Sequence, residues 1–186
     1  MLQINTTNTV YERFLQENAY HMEKVRALRN DRKERFAEII EEYRNTPDLE
    51  TMEQFVQHGD TSTLGHSENV AWISFLVNEK LHLNADEKTL VEAAILHDFY
   101  LYDWHDMKAD KTDRKAHRHN HPEVACENAK ELFVIPEKTQ EAIRSHMWPV
   151  SIKKIPRSKE AAILCMVDKY CAFVETIRMS KHLGLK

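Results

Sequence analysis

The segment that is most informative about the fold is VEAAILHDF, residues 91–99. Its apolar residues recur at spacings of three and four, which is typical of a helix with a buried face. His97 and Asp98 stand on that face, three residues after Ala94 and Ile95 respectively. A buried carboxylate is costly unless it is paired or bound to a metal. An adjacent ionisable pair at the buried end of an apolar helix therefore indicates a functional site.

Four further ionisable side chains lie on apolar helical stripes in the same way: His66, His121, His146 and Asp168. Taken singly, each has a plain structural explanation, since a lone histidine on an apolar face is usually a hydrogen-bonded core residue. Asp168 could pair with Lys169, and His121 could cap a helix before Pro122. Together, the six side chains match the way in which facing helices of a bundle supply ligands to a metal. Imidazole and carboxylate without thiolate suit iron, manganese, cobalt, nickel or zinc.

The scarcity of turn-forming residues predicts an all-α fold. The chain has 186 residues with 3 glycines and 5 prolines, and its apolar segments have helical spacing. We expect one domain with a helical extension, and no sheet beyond a short hairpin. The expected helices cover about residues 61–82, 84–100, 122–133, 136–146 and 158–182, with Pro122 in a first turn. We assign residues 1–57 to an N-terminal helical extension and residues 58–186 to a metal-binding helical domain.

Composition excludes several classes of protein. The net charge is −4 with 30% charged residues, which argues against a protein that coats nucleic acid. The longest apolar run, residues 161–167, is far too short to span a bilayer. Residues 1–11 have no basic start and no apolar stretch, so we expect no signal peptide. The three cysteines lie in helical patterns without metal spacing, which favours reduced, buried thiols and a cytoplasmic protein.

The order of the ligand candidates carries a resemblance to a known family. His66, then His97-Asp98, then Asp168 resembles the H…HD…D signature of the HD superfamily of metal-dependent phosphohydrolases. The surrounding segments LGHSENVA, VEAAILHDF and AAILCMVDKY agree with it, and the match covers about residues 59–176. The segments HNHPEVACENAKELF and AIRSHMWP resemble the branches that hold two metals. Those branches include cyclic-dinucleotide phosphodiesterases and symmetrical dinucleoside-tetraphosphate hydrolases.

The resemblance implies an HD-type helical bundle that hydrolyses a phosphate ester or anhydride of a nucleotide or another small phosphorylated metabolite. It does not choose between phosphomonoesterase, phosphodiesterase and pyrophosphohydrolase activity. Many relatives follow the HD pair with a small residue and glycine, whereas Phe99 and Tyr100 stand here, and Asp103 is the nearest acidic residue. The usual position of a general acid is therefore not matched. The alternative function is a catalytically weak metal-binding regulatory or interaction module of HD fold.

The resemblance also implies a divalent transition metal, with His97 and Asp98 as the catalytic pair. The minimal site needs the four signature residues, which leaves His121 and His146 over. A second cation explains both, because it would take these two histidines and one oxygen of Asp98. We therefore expect two ions, with iron or manganese favoured over zinc, cobalt and nickel. The rival account has one metal, with His121 and His146 as donors to phosphate.

Phosphate contacts are expected from cations in two charged connections, residues 101–120 and 148–159. The candidates are Lys111, Arg114 and Lys115 in the first, and Lys153, Lys154 and Arg157 in the second. Either connection could act as a lid, or be a solvated charged loop. His119 competes with His121 as a ligand, but Pro122 favours His121. The polar N-terminal helices are a candidate homodimer surface, although their charges more often mark a solvated face.

Overall fold

The computed structural model describes the backbone of residues 6–58, 60–103 and 111–182, and the side chains of these residues except 6–15, 17, 111–116 and 178–182. The described elements follow in the order α1 (Thr6–Arg44), α2 (Pro47–Thr51), a 3₁₀ turn (Met52–Gln54), β1 (Val56–His58), β2 (Thr61–Ser62), α3 (Thr63–Lys80), α4 (Glu87–Leu96), α5 (Lys111–Leu132), α6 (Glu137–Ser145) and α7 (Lys159–His182). The two strands form one antiparallel hairpin. The all-α prediction is confirmed.

The chain divides into two compact units, the first ending at Glu38 and the second beginning at Ile39. The described part of the first unit is helix, and it leaves large apolar side chains such as Tyr20 and Met22 more than 60% exposed. The predicted homodimer surface falls in this segment and stays a prediction, as does the division at residue 57. None of the described helices is long and apolar enough to cross a membrane.

Helix α4 lies at the centre of the second unit, where it contacts α3, α6 and α7. Every residue from Leu90 to Leu96 is buried, which explains why the sequence of this helix is apolar on nearly all sides. Burying each leucine or isoleucine side chain contributes about 1.5–3 kcal/mol. The packing of α4 fixes the position of its C-terminal end, which is the end that carries the HD pair.

Side-chain caps define where the two central helices begin. Ser62 caps α3, because its hydroxyl accepts a hydrogen bond from the backbone N–H of Gly65 at 3.0 Å. Asp86 caps α4, because its carboxylate accepts from the backbone N–H of Thr89 at 2.8 Å. Such a cap contributes about 1 kcal/mol. Both helices therefore start within a few residues of the predicted positions.

Helix α5 differs from the prediction. Pro122 lies inside α5, not in a first turn, and the predicted loop of residues 101–120 is helical from Lys111 onward. An interior proline loses one backbone hydrogen bond and crowds the preceding turn, at a cost of about 3 kcal/mol. Tertiary contacts on both sides of the proline offset that cost. Tyr102 lies within hydrogen-bond distance of His117 at 2.9 Å, and the amide of Asn128 donates to the carbonyl of Phe99 at 2.9 Å.

Candidate metal centre

The second unit brings all six predicted ligand residues together. His66 lies on α3, His121 on α5 and Asp168 on α7. His97 and His146 are the C-cap residues of α4 and α6, and Asp98 follows His97. The exposed fraction of these residues is between 0% and 7%. Helices far apart in sequence thus bring imidazoles and carboxylates together in one buried centre.

The first group of ligand atoms surrounds Asp168. The Nε2 atom of His66 is 3.1 Å from Asp168 Oδ1, and the Nε2 atom of His97 is 3.7 Å from the same oxygen. His97 Nε2 is also 3.4 Å from Asp98 Oδ2. His66, His97 and Asp98 each offer a ligand atom within 4.8 Å of the others. This spacing suits a single cation held between the side chains.

The second group surrounds the other oxygen of Asp98. His121 Nε2 is 3.3 Å from Asp98 Oδ1, and His146 Nε2 is 3.7 Å from it. The two histidine Nε2 atoms are 3.0 Å apart. The ligand atoms of these three residues also lie within 4.8 Å of one another. Asp98 is therefore common to both groups, with one oxygen on each side.

All four histidines have the same orientation. Each Nδ1 atom faces an oxygen: Glu175 Oε2 at 2.8 Å for His66, the carbonyl of Ala94 at 2.7 Å for His97, the carbonyl of His117 at 3.1 Å for His121, and the carbonyl of Ile143 at 2.7 Å for His146. Because carbonyls and carboxylates only accept, each Nδ1 carries the hydrogen. A neutral ring then directs the lone pair of Nε2 to the centre, as in metal-bound histidines.

Two buried atoms show that these residues fit a divalent cation. His97 Nε2 and Asp98 Oδ1 are both inaccessible to solvent and have no hydrogen-bond partner among the described residues. Leaving a buried polar atom without a partner costs about 1–3 kcal/mol. Cations bound by the two groups would satisfy both atoms. Nitrogen and oxygen donors without thiolate suit iron, manganese, cobalt, nickel or zinc.

The charges of the two carboxylates also suit a bound cation. Burial by itself raises the pKa of Asp98, but His97 and His121 hold it well below its usual range. Burial likewise opposes ionisation of Asp168, and the hydrogen bond from His66 together with the charge of His97 holds its pKa well below its usual range. Burial lowers the pKa of His146 to about 3, so that ring is neutral. The centre therefore presents negative charge beside a neutral imidazole.

His66 and His97 compensate that negative charge. Burial lowers the pKa of His66, but its bonds to Asp168 and Glu175 prevail and raise it to about 9. The pKa of His97 is raised well above its usual value, because the charge of Asp98 outweighs burial. Metal ligands must be deprotonated, so a cation that binds here replaces these protons.

A cavity of about 390 Å³ opens onto the centre. Met147, Val150 and Ala172 form an apolar part of its lining, and Arg118 and Lys169 supply its cationic groups. Arg118 belongs to the connection of residues 101–120, from which the sequence predicts phosphate contacts, whereas only the tertiary fold shows that Lys169 faces this cavity. Lys169 also donates to the carbonyl of His146 at 2.7 Å.

The six lysine and arginine residues that the sequence predicts to bind phosphate either are not among the cavity-lining residues or have side chains that the structure does not describe. Lys153, Lys154 and Arg157 are not among the described residues that line the cavity. Lys154 instead contacts Glu123 at 2.6 Å, and Arg157 lines a separate surface pocket. The side chains of Lys111, Arg114 and Lys115 lie outside the described residues. A role of these six residues in phosphate binding stays a prediction.

Comparison with known proteins agrees with this geometry. No curated protein and no solved structure matches the chain. A family model described as HD domain matches residues 63–172, which is more than half of the chain and includes all six ligand candidates. The match and the two His/Asp groups together indicate a divalent-metal site. The chain belongs to the HD domain family, whose members are generally metal-dependent phosphohydrolases.

Proposed function

We propose that the chain hydrolyses a small phosphorylated metabolite, such as a nucleotide, at a centre that holds two divalent cations. The observation that carries the proposal is the position of Asp98. Its Oδ2 atom lies beside His97 Nε2, and its Oδ1 atom lies beside the Nε2 atoms of His121 and His146. A carboxylate placed in this way can offer one oxygen to each of two cations, and two such cations can act together on one phosphoryl group.

The ligand sets follow from the distances. His66, His97, Asp168 and Asp98 Oδ2 would hold one cation. His121, His146 and Asp98 Oδ1 would hold the other. Iron or manganese is favoured, with zinc, cobalt and nickel as alternatives, because the donors are imidazole and carboxylate alone.

When bound, divalent cations supply the acidity that activates water and the positive charge that stabilises phosphoryl oxygens. The residues of this chain prepare the reaction in three ways. His97 and Asp98, buried at the end of α4, keep the ligand atoms in fixed positions. Arg118 and Lys169 offer positive charge to a phosphate entering the cavity. Met147 and Val150 give one side of that cavity an apolar lining.

The size of the cavity supports a small substrate. Sites for small molecules usually have volumes of about 300–1,000 Å³. The cavity of about 390 Å³ lies near the lower end of that range. We therefore infer that the part of the substrate held in the cavity is comparable in size to a single nucleotide.

A second candidate is a metal-binding module with weak turnover. One observation favours it. Among the described residues, the cavity lining contains two carboxylates, Asp98 and Asp168, and both are assigned as metal ligands. Asp103, the nearest acidic residue in sequence, does not line the cavity. A carboxylic general acid is thus missing from the described lining.

The two functions are separated by one experiment on purified protein. Metal content is measured by mass spectrometry, and hydrolysis is measured on a panel of phosphomonoesters, phosphodiesters and dinucleoside polyphosphates with added Mn²⁺ or Fe²⁺. The proposal predicts bound metal and metal-dependent release of phosphate or nucleotide. Bound metal with no hydrolysis across the panel would favour the regulatory module. Protein that binds no divalent metal would refute both.

A further inference from the structure

Gln57 contacts the centre from outside the family match. It lies on β1, six residues before the match begins, and is 8% exposed. Its Nε2 atom is 2.5 Å from Asp98 Oδ2, and its Oε1 atom is hydrogen-bonded to the hydroxyl of Tyr100. Tyr100 itself is 1% exposed. Three buried polar side chains thus form a continuous chain of hydrogen bonds that ends on the shared carboxylate.

The chemistry of Asp98 fixes the direction of this chain. An ionised carboxylate only accepts, so the Gln57 amide must turn its NH₂ group toward Asp98. The amide oxygen then faces Tyr100, whose hydroxyl must donate. A phenol is protonated near neutral pH, so the Tyr100 hydroxyl can be that donor. The order Tyr100 to Gln57 to Asp98 therefore has one consistent arrangement of hydrogens.

The backbone around Gln57 holds it in place independently of any ligand. Val56 pairs with Ser62 across the hairpin, and the N–H of Thr63 donates to the carbonyl of Phe55 at 2.7 Å. These bonds tie the strand to the start of α3, the helix that carries His66. Gln57 therefore reaches Asp98 from a support that is itself anchored beside a ligand helix.

The contact decides how the carboxylate of Asp98 is oriented. With Oδ2 held by Gln57, the plane of the carboxylate is set and Oδ1 is directed toward His121 and His146. The other contact of Oδ2 in the centre, with His97 Nε2 at 3.4 Å, is longer. A carboxylate shared by two groups of ligands has to be held against rotation if both are to keep their distances.

We propose that Gln57, held by Tyr100, is a positioning residue that orients Asp98 and so sets the affinity of the centre for its cations. The inference rests on the proposed metal site. Residues that orient metal ligands typically change metal affinity by about 10- to 100-fold when they are replaced. Gln57 acts before any substrate is present, although it also lines the cavity.

The test measures Mn²⁺ affinity of the full chain by calorimetry, without substrate, so that a contact between Gln57 and substrate cannot contribute. Gln57→Met keeps the length of the side chain and removes both hydrogen bonds. It is expected to weaken Mn²⁺ binding by about 10-fold or more. Tyr100→Phe should weaken it in the same direction and by less. Gln54→Ala, at an exposed glutamine in the preceding turn, is the matched control and should bind as the wild type does.

The double variant Gln57→Met/Tyr100→Phe tests the order of the chain of bonds. If Tyr100 acts through Gln57, the double variant binds Mn²⁺ no more weakly than Gln57→Met alone. Fully additive losses would overturn the relay, and wild-type affinity in Gln57→Met would overturn the positioning role. If Gln57→Met does not fold, Tyr100→Phe decides, since unchanged affinity there contradicts the proposal. Wild-type protein that binds no divalent cation would instead show that the proposed function has failed.

Discussion

The carboxylate of Glu175 lies 2.8 Å from Nδ1 of His66, with the glutamate 4% exposed and the histidine fully buried. The second carboxylate oxygen accepts from the amide of Asn69 at 3.1 Å. Hydrogen bonds to His66 and Asn69 keep the pKa of Glu175 below its usual range despite burial. The glutamate therefore orients the imidazole and increases its basicity toward a metal.

We predict that Glu175→Gln weakens binding of the cation at the His66 group by about 10-fold or more, because the negative charge that Glu175 places beside Nδ1 of His66 is lost. The Mn²⁺ affinity is measured by isothermal titration calorimetry. Glu131→Gln, at an exposed position on α5, is the control and should bind as the wild type does. Equal affinity of Glu175→Gln and wild type would contradict the role of Glu175.

The second cation is tested through His121. Since His121 and His146 share Asp98 Oδ1, His121→Ala should remove one of two ions and leave the His66 group loaded. Metal content at saturating Mn²⁺ should fall from about two per chain to about one, by the two-ion arrangement proposed here. A content near one per chain in both proteins would support the single-metal mechanism.

Glu160 links stability to pH away from the centre. It is 1% exposed and accepts from Lys138 at 2.9 Å and from the backbone N–H of Asp86 at 2.6 Å. Burial raises its pKa, but these bonds prevail and the pKa lies below the usual 4.5. The stabilisation is therefore present above about pH 4.5 and is lost as pH falls through the folded-state pKa. Glu160→Gln should lower the free energy of unfolding by about 1 kcal/mol at pH 7.

Urea unfolding of Glu160→Gln and wild type at pH 7 and at pH 3 checks this prediction. The difference between the two proteins should shrink at the lower pH, because pH 3 lies below the usual pKa of 4.5 and protonation of Glu160 then favours the unfolded chain. A difference that is the same at both pH values would show that the charge of Glu160 contributes nothing.

Tyr43 should stabilise the second unit through a buried carboxylate. Its hydroxyl donates to Glu92 Oε1, and the hydroxyl of Thr139 donates to Glu92 Oε2 at 2.5 Å. Tyr43→Phe leaves one buried oxygen without that donor, so we expect a loss of about 1–3 kcal/mol. Thermal unfolding measures the loss. Tyr20→Phe, at a site 68% exposed, should leave stability unchanged, and an equal effect of the two substitutions would contradict the role of Tyr43.

Helical spacing accounts for most of what could be predicted. Val70, Ala94 and Ile143 mark buried faces, and a polar residue on such a face has to point inward. That rule placed His66, His97 and His146 without any knowledge of how the helices pack. The ends of α3, α4, α6 and α7 were also close to prediction, because capping signals are local.

The remaining features depend on tertiary structure. Pro122 sits within α5 because contacts made by distant residues outweigh a local rule. Gln57 has no periodic signal at all, since it precedes α3 on a short strand. Glu175 follows Asp168 by seven residues, two turns along one helix face, so its spacing was visible in sequence but its partner was not. Lys169 became recognisable as a candidate for phosphate binding only from the cavity, whereas Arg118 lies in the connection of residues 101–120, from which the sequence predicts phosphate contacts.

The most direct test of the account compares Asp98→Asn with the wild type in metal content and in hydrolysis of the same phosphate-ester panel. The account predicts that the wild type holds divalent metal and turns over at least one substrate. It predicts that Asp98→Asn loses metal and activity together, because one carboxylate serves both groups of histidines. An Asp98→Asn protein that is folded and keeps wild-type metal content and turnover would contradict the account.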